Sequence, residues 1–216
     1  MTLILPWSQL AAATDAEGLT DCVSLYARHH GYPPGEDTPL RDWCFPRFAP
    51  RLVWATRCIG PAGPRIAVAV AAKAARRVLP VFEATYPGDA RPRTALDLVD
   101  RWLDGASVRR ELVAVRVRRP VAERIADILL RPHTARAVRV AHAVAEVASA
   151  VLGAKDGAFA ADHADRAAGV VLAVIDPNGD LIRSRELERD AQWADFMAAM
   201  RRAESEPRGY PASART

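Results

Sequence analysis

The amino-acid sequence predicts an all-α fold, and three observations support this prediction. Apolar residues recur at helical spacing from Pro64 onward, Pro and Gly interrupt that pattern, and Ala and Val supply much of the apolar content. Apolar residues three or four positions apart line one face of a helix. We therefore expect about eight helices with short connections, packed as a bundle or as a stack of helical hairpins.

The same pattern divides the chain into three parts. Residues 1–60 contain one predicted helix at 15–30 and a loop region rich in Pro and aromatic residues, which we expect to pack on the body. Residues 61–204 form the all-α domain, and residues 205–216 are a polar tail that we expect to be disordered. No apolar run approaches the ~20 residues that a membrane-spanning helix needs, and the first residues lack a basic signal-peptide region. The sequence thus predicts a cytoplasmic protein without a membrane partner.

A corner between two predicted helices stands out at residues 78–102, "VLPVFEATYPGDARPRTALDLVDRW". Pro80 falls inside the first helical pattern and is expected to kink or restart that helix. The helix must end by Tyr86, because the residue before a proline is pushed out of the α region. Asp89 is the predicted N-cap of the next helix, and Pro92 fits its first turn.

Four charged residues of this corner are the candidate site: Glu83, Asp89, Arg91 and Arg93. A tight turn places the end of one helix beside the start of the next, so we expect these side chains to lie close together. At least one arginine should reach Glu83 or the free carbonyls near Tyr86. The four residues either lock the angle between the helices or contact a partner, and the sequence leaves both interpretations open.

A short helix is predicted after Thr38-Pro39. Start and stop signals predict further helices at residues 51–60, 108–119, 120–130, 132–153, 158–175 and 181–204. Ser107 is the candidate N-cap of the 108–119 segment, where alternating valines also allow a strand. Residues 176–180, "DPNGD", form the clearest predicted turn.

The charge pattern allows two interpretations. The net charge is +4, and of 30 basic residues only Lys73 and Lys155 are lysine, which leaves 28 arginines. This excess reflects either the composition of a GC-rich genome or a patch for phosphate or carboxylate partners. The 26 acidic residues are interspersed and no long basic block occurs, so nucleic-acid binding is the less favoured alternative.

The sequence contains no motif of a known catalytic or cofactor-binding class. Glycine-rich phosphate loops, a G-x-S-x-G elbow and H-E-x-x-H are all missing. Three widely spaced cysteines do not form a disulfide framework and are expected to be buried apolar residues. We therefore predict no catalytic residues, no cofactor and no metal, and a protein that is not an enzyme.

The histidines do not change that prediction. His29 and His30 are adjacent on a predicted helix, where their side chains point about 100° apart and serve its C-terminal end. Asp162 and Asp165 share a face around His163, which allows a weak metal or acid–base site, although an ordinary solvated face is favoured. His142 lies among alanines and is expected in the core or an interface.

Residues 71–105, "AAKAARRVLPVFEATYPGDARPRTALDLVDRWLDG", resemble the core of an immunity protein family of bacterial polymorphic toxin systems. Members share a helix ending like "RRVLPVFE", a "YPGDARPR" corner, an "A…W" helix and Ala-rich helices with histidines, here His142 and His163. The resemblance is looser up to about residue 175. It implies an all-α protein that binds and neutralises a cognate protein toxin. The alternative is an arginine-rich helical regulatory protein that binds nucleic acid or another acidic partner.

Overall fold

The computed structural model describes residues 4–5, 38–39, 62–116, 134–175 and 182–205. The described part of the chain from residue 62 onward contains six helices, where the sequence suggested about eight over its whole length: α1 Gly63–Thr85, α2 Arg91–Leu103, α3 Arg109–Val115, α4 Ala135–Leu152, α5 Gly157–Ile175 and α6 Ile182–Ser205. Two short strands, β1 (Ile4–Leu5) and β2 (Thr38–Pro39), pair antiparallel with Ile4 opposite Pro39. The all-α class is confirmed.

Some predictions lie outside the described residues. They include the helices at 15–30, 51–60 and 120–130, the turn at 176–180, the three cysteines, and His29 and His30. The tail from residue 206 also lies outside, whereas Ser205, which we assigned to the tail, is the last residue of α6. No helix in the described ranges is long and apolar enough to cross a membrane.

α1 lies at the centre of the helical body. It packs against α4, α5 and α6, and α4 and α5 form a closely packed pair beside it. Many alanines of these helices are fully or nearly fully buried, among them Ala67, Ala71, Ala74, Ala141, Ala148, Ala164 and Ala167. Side chains this small allow helix axes to approach closely. The larger buried residues Phe82, Leu96 and Phe196 fill the remaining space.

The starts of α3 and α4 and the effect of Pro80 on α1 differ from the predictions. α1 continues through Pro80, so a restart of the helix there is wrong. Pro80 is exposed, and the carbonyl that it leaves without a donor can be hydrated on that face. The N-cap position of α3 is Val108 rather than Ser107, and the strand alternative is wrong for Arg109–Val115. α4 starts at Ala135, three residues after Pro132.

Arginine side chains hold the C-terminal ends of three helices. The last carbonyls of a helix have no partner within the helix, and a guanidinium from a neighbouring segment can supply one. Arg65 donates to the Leu103 carbonyl oxygen, Arg109 Nη1 to that of Leu152 at 2.8 Å, Arg136 Nε to that of Val174 at 3.0 Å, and Arg139 Nη1 to that of Ala173 at 3.1 Å. Part of the arginine excess is therefore structural.

An ion-pair network joins α1 to α6. Arg77 donates through Nε and Nη2 to the two carboxylate oxygens of Glu188, at 2.8 and 2.6 Å, and through Nη1 to Asp195 Oδ2 at 2.6 Å. Lys73 Nζ lies 3.2 Å from Asp195 Oδ1. The Glu188 side chain is only 4% exposed and also accepts a hydrogen bond from Gln192. This network fixes where α6 lies on the body.

Candidate functional site

The predicted corner lies between α1 and α2 and turns within five residues, 86–90. α1 ends at Thr85, and the backbone N–H of Tyr86 donates to the Phe82 carbonyl at 2.8 Å. The N–H of Asp89 donates to the Tyr86 carbonyl at 3.0 Å and closes the turn. Pro92 is the second residue of α2, where its missing N–H costs no helical hydrogen bond. These predictions of the helix boundaries are confirmed.

The N-cap position of α2 is Ala90, one residue later than predicted, but Asp89 makes the predicted capping contact with this helix. Ala90 takes the N-cap position with helical dihedrals, which moves Asp89 outside the first turn. The Asp89 side chain nevertheless accepts the backbone N–H of Arg91 on Oδ1 at 3.2 Å. The Arg91 guanidinium also donates to it, from Nε to Oδ1 at 2.8 Å and from Nη2 to Oδ2 at 2.7 Å. Asp89 is 8% exposed, so this ion pair is largely shielded from water.

Glu83 and Arg93 form the second pair of the corner. Arg93 Nε lies 2.7 Å from Glu83 Oε1 and Nη2 lies 2.6 Å from Oε2, which is a bidentate contact across the turn. These hydrogen bonds raise the pKa of Arg93. Arg93 is 56% exposed, so the pair lies on the surface. The structure thus joins the four candidate residues as two ion pairs, Glu83 with Arg93 and Asp89 with Arg91.

An open groove of about 890 Å³ adjoins the corner. Residues 85–91 and Thr94 line one side, and residues 114–116 at the end of α3 line the other. Arg116 is exposed and has a left-handed backbone, with φ 50°. Within the part of the chain that the structure describes, its guanidinium has no hydrogen bond or ion pair. Nothing in the sequence marked Arg116, because only the folded chain brings α3 to the corner.

A second polar cluster, also missed by the sequence analysis, joins α4 to α5. Glu146 accepts from His142 Nε2 on Oε1 at 3.2 Å and from His163 Nδ1 on Oε2 at 2.5 Å. A carboxylate can only accept, so each of these ring nitrogens carries the proton. Burial alone would raise the pKa of Glu146, but hydrogen bonds from His142 and His163 lower it from 4.5 to about 2.

This cluster corrects the prediction for His142 and refines that for His163. His142 is 49% exposed and not a core residue, because it lies on the opposite side of α4 from the buried Ala141 and Ala143 contacts. His163 is buried against Phe159, with ring centroids 4.1 Å apart, so it is not part of a solvated face. Asp162 does lie on the surface and pairs with Arg166 at 2.6 Å. Among the described residues no group of His, Cys, Asp and Glu is placed to hold a metal ion.

Comparison with known proteins identifies the family. A family model described as "Imm-5 like putative immunity protein" matches residues 64–174, slightly more than half of the 216 residues. The matched stretch contains the corner, the groove residues and the His142–Glu146–His163 cluster. No curated protein and no solved structure matches the chain. The resemblance of residues 71–105 is thereby confirmed, and the chain belongs to the Imm-5-like family that this model describes.

Proposed function

We propose that this chain is a non-catalytic immunity protein that neutralises a cognate toxin by direct protein–protein contact. The observation that carries the proposal is the family match over residues 64–174, which spans the corner. Inhibition by contact needs a stable scaffold and a surface complementary to the toxin, and needs no catalytic group. The helical body with its alanine-rich core provides such a scaffold.

The corner and its groove are the proposed contact surface, within the domain that we assign to residues 61–204. The bidentate pair of Glu83 with Arg93 spans the turn, and that of Asp89 with Arg91 holds the entry into α2, so that together they favour one conformation of the corner. A surface that is rigid before binding loses little conformational entropy when the partner docks. This preorganisation favours a role in recognition in addition to the structural one.

The nucleic-acid alternative receives less support from the contacts. Many described arginines are engaged within the chain, in ion pairs such as those of Arg76 with Asp97 and Asp100, or on the carbonyls at helix ends. A nucleic-acid surface needs several free cations along one face. The arginine excess is therefore better explained by the fold than by an electrostatic footprint.

Co-expression with a candidate toxin, sought among the genes beside that of this chain, tests the proposal. Cells that produce the toxin alone should stop growing, and cells that also produce this chain should grow. The two proteins should co-purify. The proposal includes a cytoplasmic location, so cell fractionation should find the chain in the cytoplasm. Growth arrest that persists despite normal amounts of folded chain would contradict the proposal.

A further inference from the structure

We infer that the corner groove binds an acidic segment of a partner protein and that Arg116 is the residue that binds its carboxylate. The inference rests on the proposed function, because it names the chemistry of the toxin surface that docks at the corner. It concerns a residue outside the four that the sequence singled out. Charge, backbone conformation and the groove's apolar lining each contribute to it.

The charge of the groove is unbalanced. Among the residues that the structure describes, three charged side chains line it, those of Asp89, Arg91 and Arg116. Asp89 and Arg91 neutralise each other through their bidentate contact. Arg116 remains as an exposed cation without an ion pair among the residues that the structure describes. A guanidinium in this state is suited to hold a carboxylate through two parallel hydrogen bonds.

The backbone conformation of Arg116 determines the position from which its side chain extends. Its dihedrals, φ 50° and ψ 47°, are left-handed and end α3, and its N–H donates to the Val113 carbonyl at 3.1 Å. Arginine adopts this conformation uncommonly, and such residues often mark turns or functional positions. Arg116 therefore ends α3 at a position where it lines the groove together with the residues of the corner.

The rest of the groove is partly apolar. Val115 and Tyr86 line it and are half-buried, and Val113 on the same short helix is 57% exposed. A ligand that carries an acidic side chain beside apolar ones would satisfy both parts of the lining. A nucleic acid fits less well, because binding a phosphate backbone relies on several cations, and the described lining of the groove supplies only Arg116 beyond the paired Arg91.

A short fluorescein-labelled polyglutamate peptide tests the site, with polyglutamine of the same length as the neutral control. Arg116→Glu should weaken polyglutamate binding about tenfold, and Arg116→Gln should weaken it by less, about threefold. The matched control is Arg110→Glu, an exposed residue of α3 outside the groove lining, which changes the net charge equally. It should weaken binding less than about twofold. Unchanged circular dichroism would show that each variant is folded.

Equal losses for Arg116→Glu and Arg110→Glu would overturn the inference, because only the net charge would then matter. Tighter binding of a single-stranded oligonucleotide, with the same dependence on Arg116, would overturn it in favour of a nucleic-acid site. The same variants titrated with the toxin separate the two proposals. If the unmutated chain binds the toxin but Arg116→Glu binds equally well, the groove inference fails and the proposed function stands. If the unmutated chain does not bind the toxin, the proposed function fails, while the peptide measurement still decides what the groove binds.

Discussion

Asp89 is the residue on which the corner depends most. Its carboxylate accepts one backbone N–H and two guanidinium donors from Arg91 and is almost completely buried. Replacing it with alanine leaves the start of α2 without this acceptor and leaves Arg91 without its counter-ion. We expect Asp89→Ala to lower the free energy of unfolding by about 1–2 kcal/mol, measured by urea denaturation.

Arg93→Ala is the matched control for that prediction, because it removes the other ion pair of the same turn. Arg93 and Glu83 lie on the surface, where water and salt screen their attraction. The loss of stability should be clearly smaller than for Asp89→Ala. An equal or larger loss would show that the surface pair, rather than Asp89, holds the two helices at their angle.

Glu146 should make the stability of the fold depend on pH. Its folded pKa, about 2, lies below the ordinary 4.5, so the folded state favours the ionised carboxylate. The stabilisation is therefore complete above about 4.5 and is lost as the pH falls toward about 2. With allowance for solvent screening, we expect this contribution to be on the order of 2 kcal/mol.

The difference in unfolding free energy between the unmutated chain and Glu146→Gln isolates this effect, because glutamine keeps the size and cannot titrate. That difference should shrink as the pH is lowered through the window below about 4.5. A difference that stays constant with pH would mean that His142 and His163 do not stabilise the charged form of Glu146 in the folded state.

At the scale of whole helices, Arg77 determines how α6 is attached. It is the common partner of Glu188 and Asp195, and Glu188 is buried. Arg77→Met would leave that buried carboxylate without its counter-ion. Because Arg77 itself is partly exposed, we expect a loss of about 2–3 kcal/mol, less than for a fully buried pair. Amide hydrogen exchange should accelerate in α6 more than in α4.

The exposed pair of Arg166 with Asp162 on α5 is the control for this element. Its two members are four residues apart on one helix, and such pairs contribute only about 0.3–0.5 kcal/mol. Arg166→Met should leave exchange in α6 unchanged. If both substitutions accelerated exchange in α6 equally, the attachment of that helix would depend on apolar contacts such as those of Phe196, and the Arg77 network would contribute little.

Over the whole molecule, the sequence predicted the positions of the helices better than the contacts between them. Pro87 and Pro92 determine where α1 ends and α2 begins, because proline restricts the backbone locally, and both boundaries are confirmed. Asp89 was displaced by one position because Ala90 can take the N-cap position without a side-chain hydrogen bond. Local signals specify such boundaries only to within a residue or two.

Contacts between distant segments could not be predicted in the same way. His163 meets Glu146 across 17 positions, and this depends on the register between α4 and α5. Arg116 meets the corner because of the way α3 packs beside α2. His142 was expected in the core or an interface because alanines surround it in sequence, yet neighbouring residues on a helix point about 100° apart, and its side chain is exposed. Each of these missed or mistaken contacts depends on three-dimensional packing.

Calorimetric titration of the purified toxin with the purified chain, combined with an assay of the remaining toxin activity, tests the central claim most directly. We predict saturable binding with a stoichiometry of about one to one, and loss of toxin activity that reaches completion at the same equivalence point. Inhibition by contact requires this coincidence. Complete inactivation of the toxin by a small fraction of an equivalent would contradict the claim, because it would mean that the chain turns over as an enzyme. Absence of binding heat together with undiminished toxin activity would contradict the claim as well.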